Sequence, residues 1–228
     1  MVLSNGKKGK LTVLYDNRAC REDLTTGWGF SCLVETHGLT LLFDTGWDGP
    51  ALLHNMDCLG VDPARIAVVV ISHGHWDHMG GLALFLAANP RVSVYVPRSL
   101  SPRLKGEIAA RAHALMEVGD AAEIAPGVRT TGELGDTIRE QALLLESPRG
   151  VVVLTGCAHP GIGRILAAAH EVGDVRGLVG GFHGFRQFEL LRPLDVVAPC
   201  HCTQHIDRIA ELYPDSYVRC CGGVSLEF

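Results

Sequence analysis

"VVVISHGHWDHMGGL", residues Val68–Leu82, places three imidazoles and a carboxylate within six positions, directly behind an apolar run. The run reads as a buried strand, and Gly74 with the Gly80-Gly81 pair keeps the following backbone free of clashes. His73 and His75 stand two apart and can point the same way as the chain leaves the strand. Asp77 and His78 fall on the turn entering the next helix. A solvated loop has no need of three imidazoles so close together, whereas zinc, iron and manganese accept imidazole and carboxylate ligands. The loop therefore offers two ligand pairs, the beginnings of two metal sites.

Four residues cannot complete two coordination shells, so further ligands must come from the ends of other strands. "VVVLTGCAHPGIGRIL" provides His159, "GLVGGFHGF" provides His183 and "DVVAPCHCTQHI" provides His201, each after an apolar run. Of the eleven histidines, six fall in these four strand-to-helix junctions, where ligands collect in open α/β sheets. His205 reads as a surface or supporting residue rather than a ligand.

The remaining pattern sets the architecture. Strands are expected near Leu11–Tyr15, Ser31–Thr36, Thr40–Phe43, Ile66–Ile71 and Val92–Val96, then near Gln141–Glu146, Val151–Thr155, Gly177–Gly180, Val196–Pro199 and Tyr217–Arg219. Helical patterns cover Pro50–Leu59, Gly80–Ala88, Ile162–Val172 and Gln204–Leu212. Each half reads as strands first, then strand and helix in alternation. Two sheets, each covered by helices on one face, give an α/β fold: a four-layer αββα sandwich in one domain, 1–228. Residues 99–135 are the least regular stretch and read as an inserted lid or as a helix with long loops.

Composition narrows the function. The chain has 228 residues, 47% of them hydrophobic, and 20 Lys plus Arg against 25 Asp plus Glu give a net charge of −5. No global basic field exists to hold a long nucleic acid. Arg98, Arg103, Lys105 and Arg111 are a local basic group that reads as a solvated helix face. The N-terminal MVLSNGKKGK has no apolar segment of signal-peptide length behind it, and no stretch reaches the ~20 apolar residues of a membrane span, so a cytoplasmic location is expected. The eight cysteines show no repeating spacing and read as reduced thiols. Cys157, Cys200 and Cys202 also allow a reading as soft metal ligands or redox groups; Cys200 and Cys202 flank His201 and should point away from it, into packing, and Cys157 has no assigned place.

HGHWDH resembles the HxHxDH signature of the metallo-beta-lactamase fold superfamily. FDTG (Phe43–Gly46), TGCAHPGI, GGFH and PCHCT together resemble its branch of dihydropterin-ribofuranosyl-aminobenzene phosphate synthase-like hydrolases, and the match runs from Asp16-Asn17 to Gly222-Gly223. The resemblance implies that His73, His75 and His159 hold a first metal and that Asp77, His78 and His201 hold a second. Zn2+ is the expected ion, one or two per chain, with Fe or Mn as alternatives. Asp44 matches an aspartate that supports the ligand loop from behind; read alone, it is a turn residue.

One departure stands out against that family. Many members carry a metal-bridging aspartate at the junction where this chain has His183. An imidazole nitrogen offers one lone pair and cannot bridge. His183 is therefore expected to bind one metal at most or to face the substrate, and the second site is expected to be the weaker. With Asp77 and a hydroxide as the only anionic ligands, two divalent ions leave about +2 by formal count, which favours a small anionic substrate. The implied activity is hydrolysis by a metal-activated hydroxide, with Asp77 and His183 as catalytic residues. Iron-dependent redox chemistry on the same scaffold and a non-catalytic metal-binding module are the competing readings.

Overall fold

The alternation of apolar residues along the strands decides which layer each side chain joins. In the computed structural model, which describes residues 9–228, β1 (Lys10–Tyr15), β2 (Ser31–Thr36) and β3 (Leu39–Phe43) form an antiparallel meander. β4 (Val68–Val70), β5 (Ser93–Pro97) and β6 (Ala114–Val118) then extend it in parallel. The second sheet repeats the plan. β7 (Ala122–Ala125), β8 (Val128–Thr130), β9 (Leu143–Ser147) and β10 (Gly150–Thr155) are antiparallel, and β11 (Val175–Gly181) and β12 (Val196–Cys200) continue in parallel. β13 (Ser225–Glu227) returns to pair with β1. The parallel strands require crossovers, supplied by α1 (Gly49–Cys58), α2 (Trp76–Met79), α3 (Leu82–Ala88), α4 (Pro102–Ala109) and α5 (Ile162–His170) and, between β11 and β12, by the 3-10 turn Phe188–Leu191; α6 (Ile206–Leu212) follows β12.

Three apolar clusters lie between four layers. Val69 of β4 packs with Leu52 and Met56 of α1 and Phe85 of α3, whereas the adjacent Val70 faces the second sheet. Phe43, Leu143, Leu145, Leu154 and Val179 fill the space between the sheets. Val153 and Leu178 turn the other way, onto Ile165 of α5 and Ile209 of α6. The period of two along each strand thus separates the inter-sheet core from the two helix-covered cores, and the expected αββα sandwich is the observed one.

Several sequence expectations shift. The helix expected over Gly80–Ala88 is observed as α3 and starts two residues later, at Leu82; Gly80 and Gly81 separate it from the short α2, and a Cβ at either would collide with the carbonyl of Trp47 or Thr45. The strand expected at Tyr217–Arg219 reduces to an isolated bridge between Val197 and Tyr217. Gln141, expected to open a strand, instead donates from its amide to the Ile71 carbonyl at 2.9 Å, tying the exit of β4 to the second sheet. Residues 99–135 are built into both sheets, contributing α4, the edge strand β6, and β7 and β8.

The reading of eight reduced thiols is corrected at one pair. Cys20 and Cys221 are disulfide-bonded, with Cα atoms 5.7 Å apart across 201 positions of sequence. The backbone brings them together, because Cys20 N–H donates to the Gly222 carbonyl and Gly222 N–H to that of Arg18, both at 2.8 Å. Six cysteines remain free. Among the described residues no helix is long and apolar enough to cross a membrane; residues 1–8, most of the stretch on which the leader reading rests, lie outside them.

Two outcomes follow from this architecture. Phe43→Ala, which empties a fully buried ring position between the sheets, is expected to cost ~3–5 kcal/mol, read as a lower denaturant midpoint with an unchanged slope. Thiol titration of unfolded, unreduced protein is expected to count six reactive cysteines, rising to eight after reduction; eight before reduction would rule out the Cys20–Cys221 bond.

Candidate metal centre

The carboxyl ends of β3, β4, β10, β11 and β12 supply the site, as the open-sheet rule demands. Non-glycine residues with left-handed backbone mark the places where strands turn sharply into it: Asp44 (φ 56°), Ala158 (φ 58°), His183 (φ 48°) and His201 (φ 48°). Such φ values cost energy in L-residues and persist only where the surroundings enforce them.

Two donor groups result. His73, His75 and His159 each offer a ring nitrogen within 4.8 Å of the other two; an Asp77 oxygen, the Cys157 sulfur and a ring nitrogen each from His78 and His201 form a second group of four at the same spacing. The two groups share a border, since the His73 and His78 ring centroids are 4.2 Å apart.

Hydrogen bonds behind the rings fix which nitrogen faces inward. His78 Nδ1 donates to Asp44 Oδ2 at 2.7 Å. The Ser72 hydroxyl donates to the same oxygen at 2.7 Å, and so is left to accept from His73 Nδ1 at 2.9 Å. His159 Nδ1 donates to Glu140 Oε2 at 2.9 Å, and His201 Nδ1 to Asn17 Oδ1 at 3.1 Å. With each Nδ1 carrying the proton, each Nε2 presents a lone pair to the site, the arrangement metal-ligating histidines require. His73 Nε2 and His201 Nε2 are buried without a hydrogen-bond partner. Orphaned acceptors in a convergent set of imidazole, carboxylate and thiol fit a transition-metal ion.

The electrostatics agree with neutral ligands. Burial, and then the neighbouring imidazoles, push His73 and His78 down to about 3, and burial with His159 lowers His75. These rings carry free lone pairs at neutral pH. Burial pushes Asp44 up to about 8, against the pull of His73 and the Ser72 donors; its acceptor role at Oδ2 belongs to the ionised form, which a cation held by His78 would favour. Asp77 Oδ2 lies 3.3 Å from His201 Nε2; with the ring proton on Nδ1 the two face each other as acceptors, a pairing that a shared cation would satisfy.

Glu140 was not anticipated from sequence. Its fully buried carboxylate accepts from the backbone N–H of Gly156, Cys157 and Ala158 through Oε1, and from His159 N–H and ring through Oε2, over 2.8–3.1 Å. Burial alone would raise its pKa; the His159 bond, His73 and the backbone donors bring it below the ordinary value. Asp16 and Asn17 do comparable work at the other edge: Asp16 Oδ1 accepts from His201 N–H at 2.8 Å and Asn17 Nδ2 donates to the His201 carbonyl at 2.9 Å.

Other sequence candidates separate. Asp44 lies behind the ligand loop. His183 belongs to neither donor group; it is exposed, its ring 5.2 Å from that of His159, on a cleft of about 410 Å³ that includes Phe185 and Arg186. Cys200 is buried in the inter-sheet core. Cys202 Sγ approaches the Cys157 carbonyl at 3.8 Å, outside the donor groups. His205 packs edge-on to Phe188.

Replacing Glu140 by Gln would turn an amide N–H2 toward donors that need an acceptor. The expected result is a ~10–100-fold loss of metal affinity at the three-histidine group, with stability lowered by ~1–3 kcal/mol, measured by chelator competition and by denaturant unfolding. Unchanged affinity would show that Glu140 does not position His159.

The profile of the Metallo-beta-lactamase superfamily matches residues 25–201. A curated relative from Methanocaldococcus jannaschii, 7,8-dihydropterin-6-methyl-4-(beta-D-ribofuranosyl)-aminobenzene-5'-phosphate synthase, is 23% identical over 206 residues, covering 69% of this chain and 70% of the relative. Metallo-beta-lactamase domain-containing protein 1 of Homo sapiens is 40% identical over 70 residues, 30% of this chain and 26% of the relative. Among solved structures, a metal-dependent hydrolase of the beta-lactamase superfamily superposes with a TM-score of 0.78 at 25% identity, covering 96% of this chain and 99% of that one. The fold protein YhfI from Bacillus subtilis follows with a TM-score of 0.74 at 14% identity, over 97% and 100% of the two chains. By the extent of the profile match and the two clustered donor groups, this chain belongs to the metallo-beta-lactamase superfamily.

Proposed function

We propose that the protein is a metal-dependent hydrolase of small anionic substrates, phosphate- or carboxylate-bearing esters. The observation that carries the reading is the three-imidazole group of His73, His75 and His159, with His73 Nε2 buried, unpartnered and deprotonated. Three protein ligands are the donor count of a catalytic site, which keeps one position for water or substrate; structural sites take four. A divalent ion held there supplies a Lewis acid and brings the pKa of a water down to about 7.

The chain's own residues do the rest. Asp44, Ser72 and Glu140 hold His73, His78 and His159 in one tautomer, so none of these three rings has to reorient during turnover. Asp77 lies against His78 and His201, where its carboxylate would hold a second ion and orient the nucleophile. His183, exposed beside His159, is placed to contact the substrate or to pass a proton to the leaving group. Arg186, exposed on the same cleft, offers a cation for an anionic group. The 5'-phosphate in the name of the archaeal relative and the hydrolase neighbour support the same reading.

A panel of phosphomonoesters, phosphodiesters, lactones and thioesters tests it on protein loaded with Zn2+ or Mn2+. Charged esters are expected to turn over fastest, His73→Ala and Asp77→Ala to lose ~10²-fold or more, and His183→Ala to lose ~10²–10⁴-fold in kcat at unchanged metal content. Faster turnover of neutral lactones would contradict the substrate class, and full activity in His73→Ala would contradict the mechanism.

A further inference from the structure

We propose that Cys157 is the fourth protein ligand of the second site, binding as a thiolate with Asp77, His78 and His201; the inference rests on the metal reading above. Cys157 Sγ lies 3.1 Å from His78 Nε2, and all four donors fall within 4.8 Å of one another. The nitrogens are committed to this space, because His78 and His201 have their Nδ1 atoms tied to Asp44 and Asn17. His201 Nε2, moreover, is buried and lacks a hydrogen-bond partner of its own. The backbone that carries the sulfur is tied down as well. Cys157 N–H donates to Glu140 at 2.8 Å, the same carboxylate that fixes His159. One loop thereby serves both groups, Cys157 reaching the second and His159 the first. Cys202 is the other thiol nearby, and it stays outside the four-donor group.

Two imidazoles, a carboxylate and a thiolate make the tetrahedral set that zinc favours, and four protein ligands close the site. On binding, the Cys157 S–H bond breaks, its proton passes to solvent, and a sulfur–metal bond forms. Three consequences follow. The open coordination position, and with it the nucleophile, belongs to the three-histidine group. The thiolate selects zinc over manganese at the second group. A second anionic ligand lowers the formal charge of a filled pair from about +2 to about +1, located at the three-histidine group. The expectation of a weaker second site, drawn from the missing aspartate bridge, is then reversed, because a different residue supplies the missing ligand.

Titration of the metal-free full chain with Co2+ tests the assignment without reference to turnover. Wild type is expected to bind two equivalents, one of which raises a sulfur-to-cobalt charge-transfer band in the near ultraviolet. Cys157→Ser and Cys157→Ala should lose that band and weaken one site by more than the ~10–100-fold that loss of a supporting hydrogen bond costs, and Cys202→Ser should keep it. Two equivalents bound by wild type with visible bands alone would overturn the thiolate ligand and leave the hydrolase reading standing. A band that survives in Cys157→Ser and vanishes in Cys202→Ser would also overturn it. No cobalt uptake by wild type would overturn both this inference and the metal reading beneath it.

Discussion

The structure depends on one constraint: an imidazole can offer a lone pair inward only if its other nitrogen gives its proton to something fixed behind it. Asp44 and Ser72 accept for the HGHWDH loop, Glu140 for His159 and Asn17 for His201. These acceptors come from both sheets and from the turn after β1, so the site exists only when the sandwich has closed. Rotation of one ring would leave a buried donor without a partner. Rigid orientation is therefore a consequence of the fold.

The same dependence explains the strained turns. Asp44, Ala158, His183 and His201 adopt left-handed backbone at the ends of β3, β10, β11 and β12. Each turn bends the chain abruptly from the strand toward the shared cleft, and each is held by packing in the layers below. Gly156 shows how little room remains, since a Cβ there would meet Ser72 and approach the Asp44 carboxylate at 3.1 Å. Sheet, ligand loop and supporting carboxylates are packed against one another without slack.

Much of this was legible in the sequence. Clustered histidines after apolar runs marked the ligand loops, and the period-two pattern separated the layers, because both signals are local. The helix expected from Gly80 begins only at Leu82, because a close backbone approach, which no local pattern encodes, occupies the two glycines. Glu140 looked like an ordinary charged residue before a strand; its role arises from five donors that lie 16–19 positions further along and meet it only across the folded sheet. Cys157 could not be assigned for a related reason. Its neighbour two positions on, His159, serves the first group, and the left-handed turn at Ala158 lies between the two residues. Cys20 and Cys221 are farther apart still, and their pairing depends on the two ends of the chain meeting beside β1.

The claim beneath all of this is that His73, His75 and His159 grip a metal ion, with His73 and His159 oriented by buried partners. Anomalous diffraction at the zinc edge, from crystals grown with Zn2+, measures it most directly. The account predicts a peak within ~2.0–2.1 Å of one ring nitrogen from each of the three residues. A zinc-bearing crystal with no peak among these rings, or with zinc bound only at the molecular surface, would contradict it.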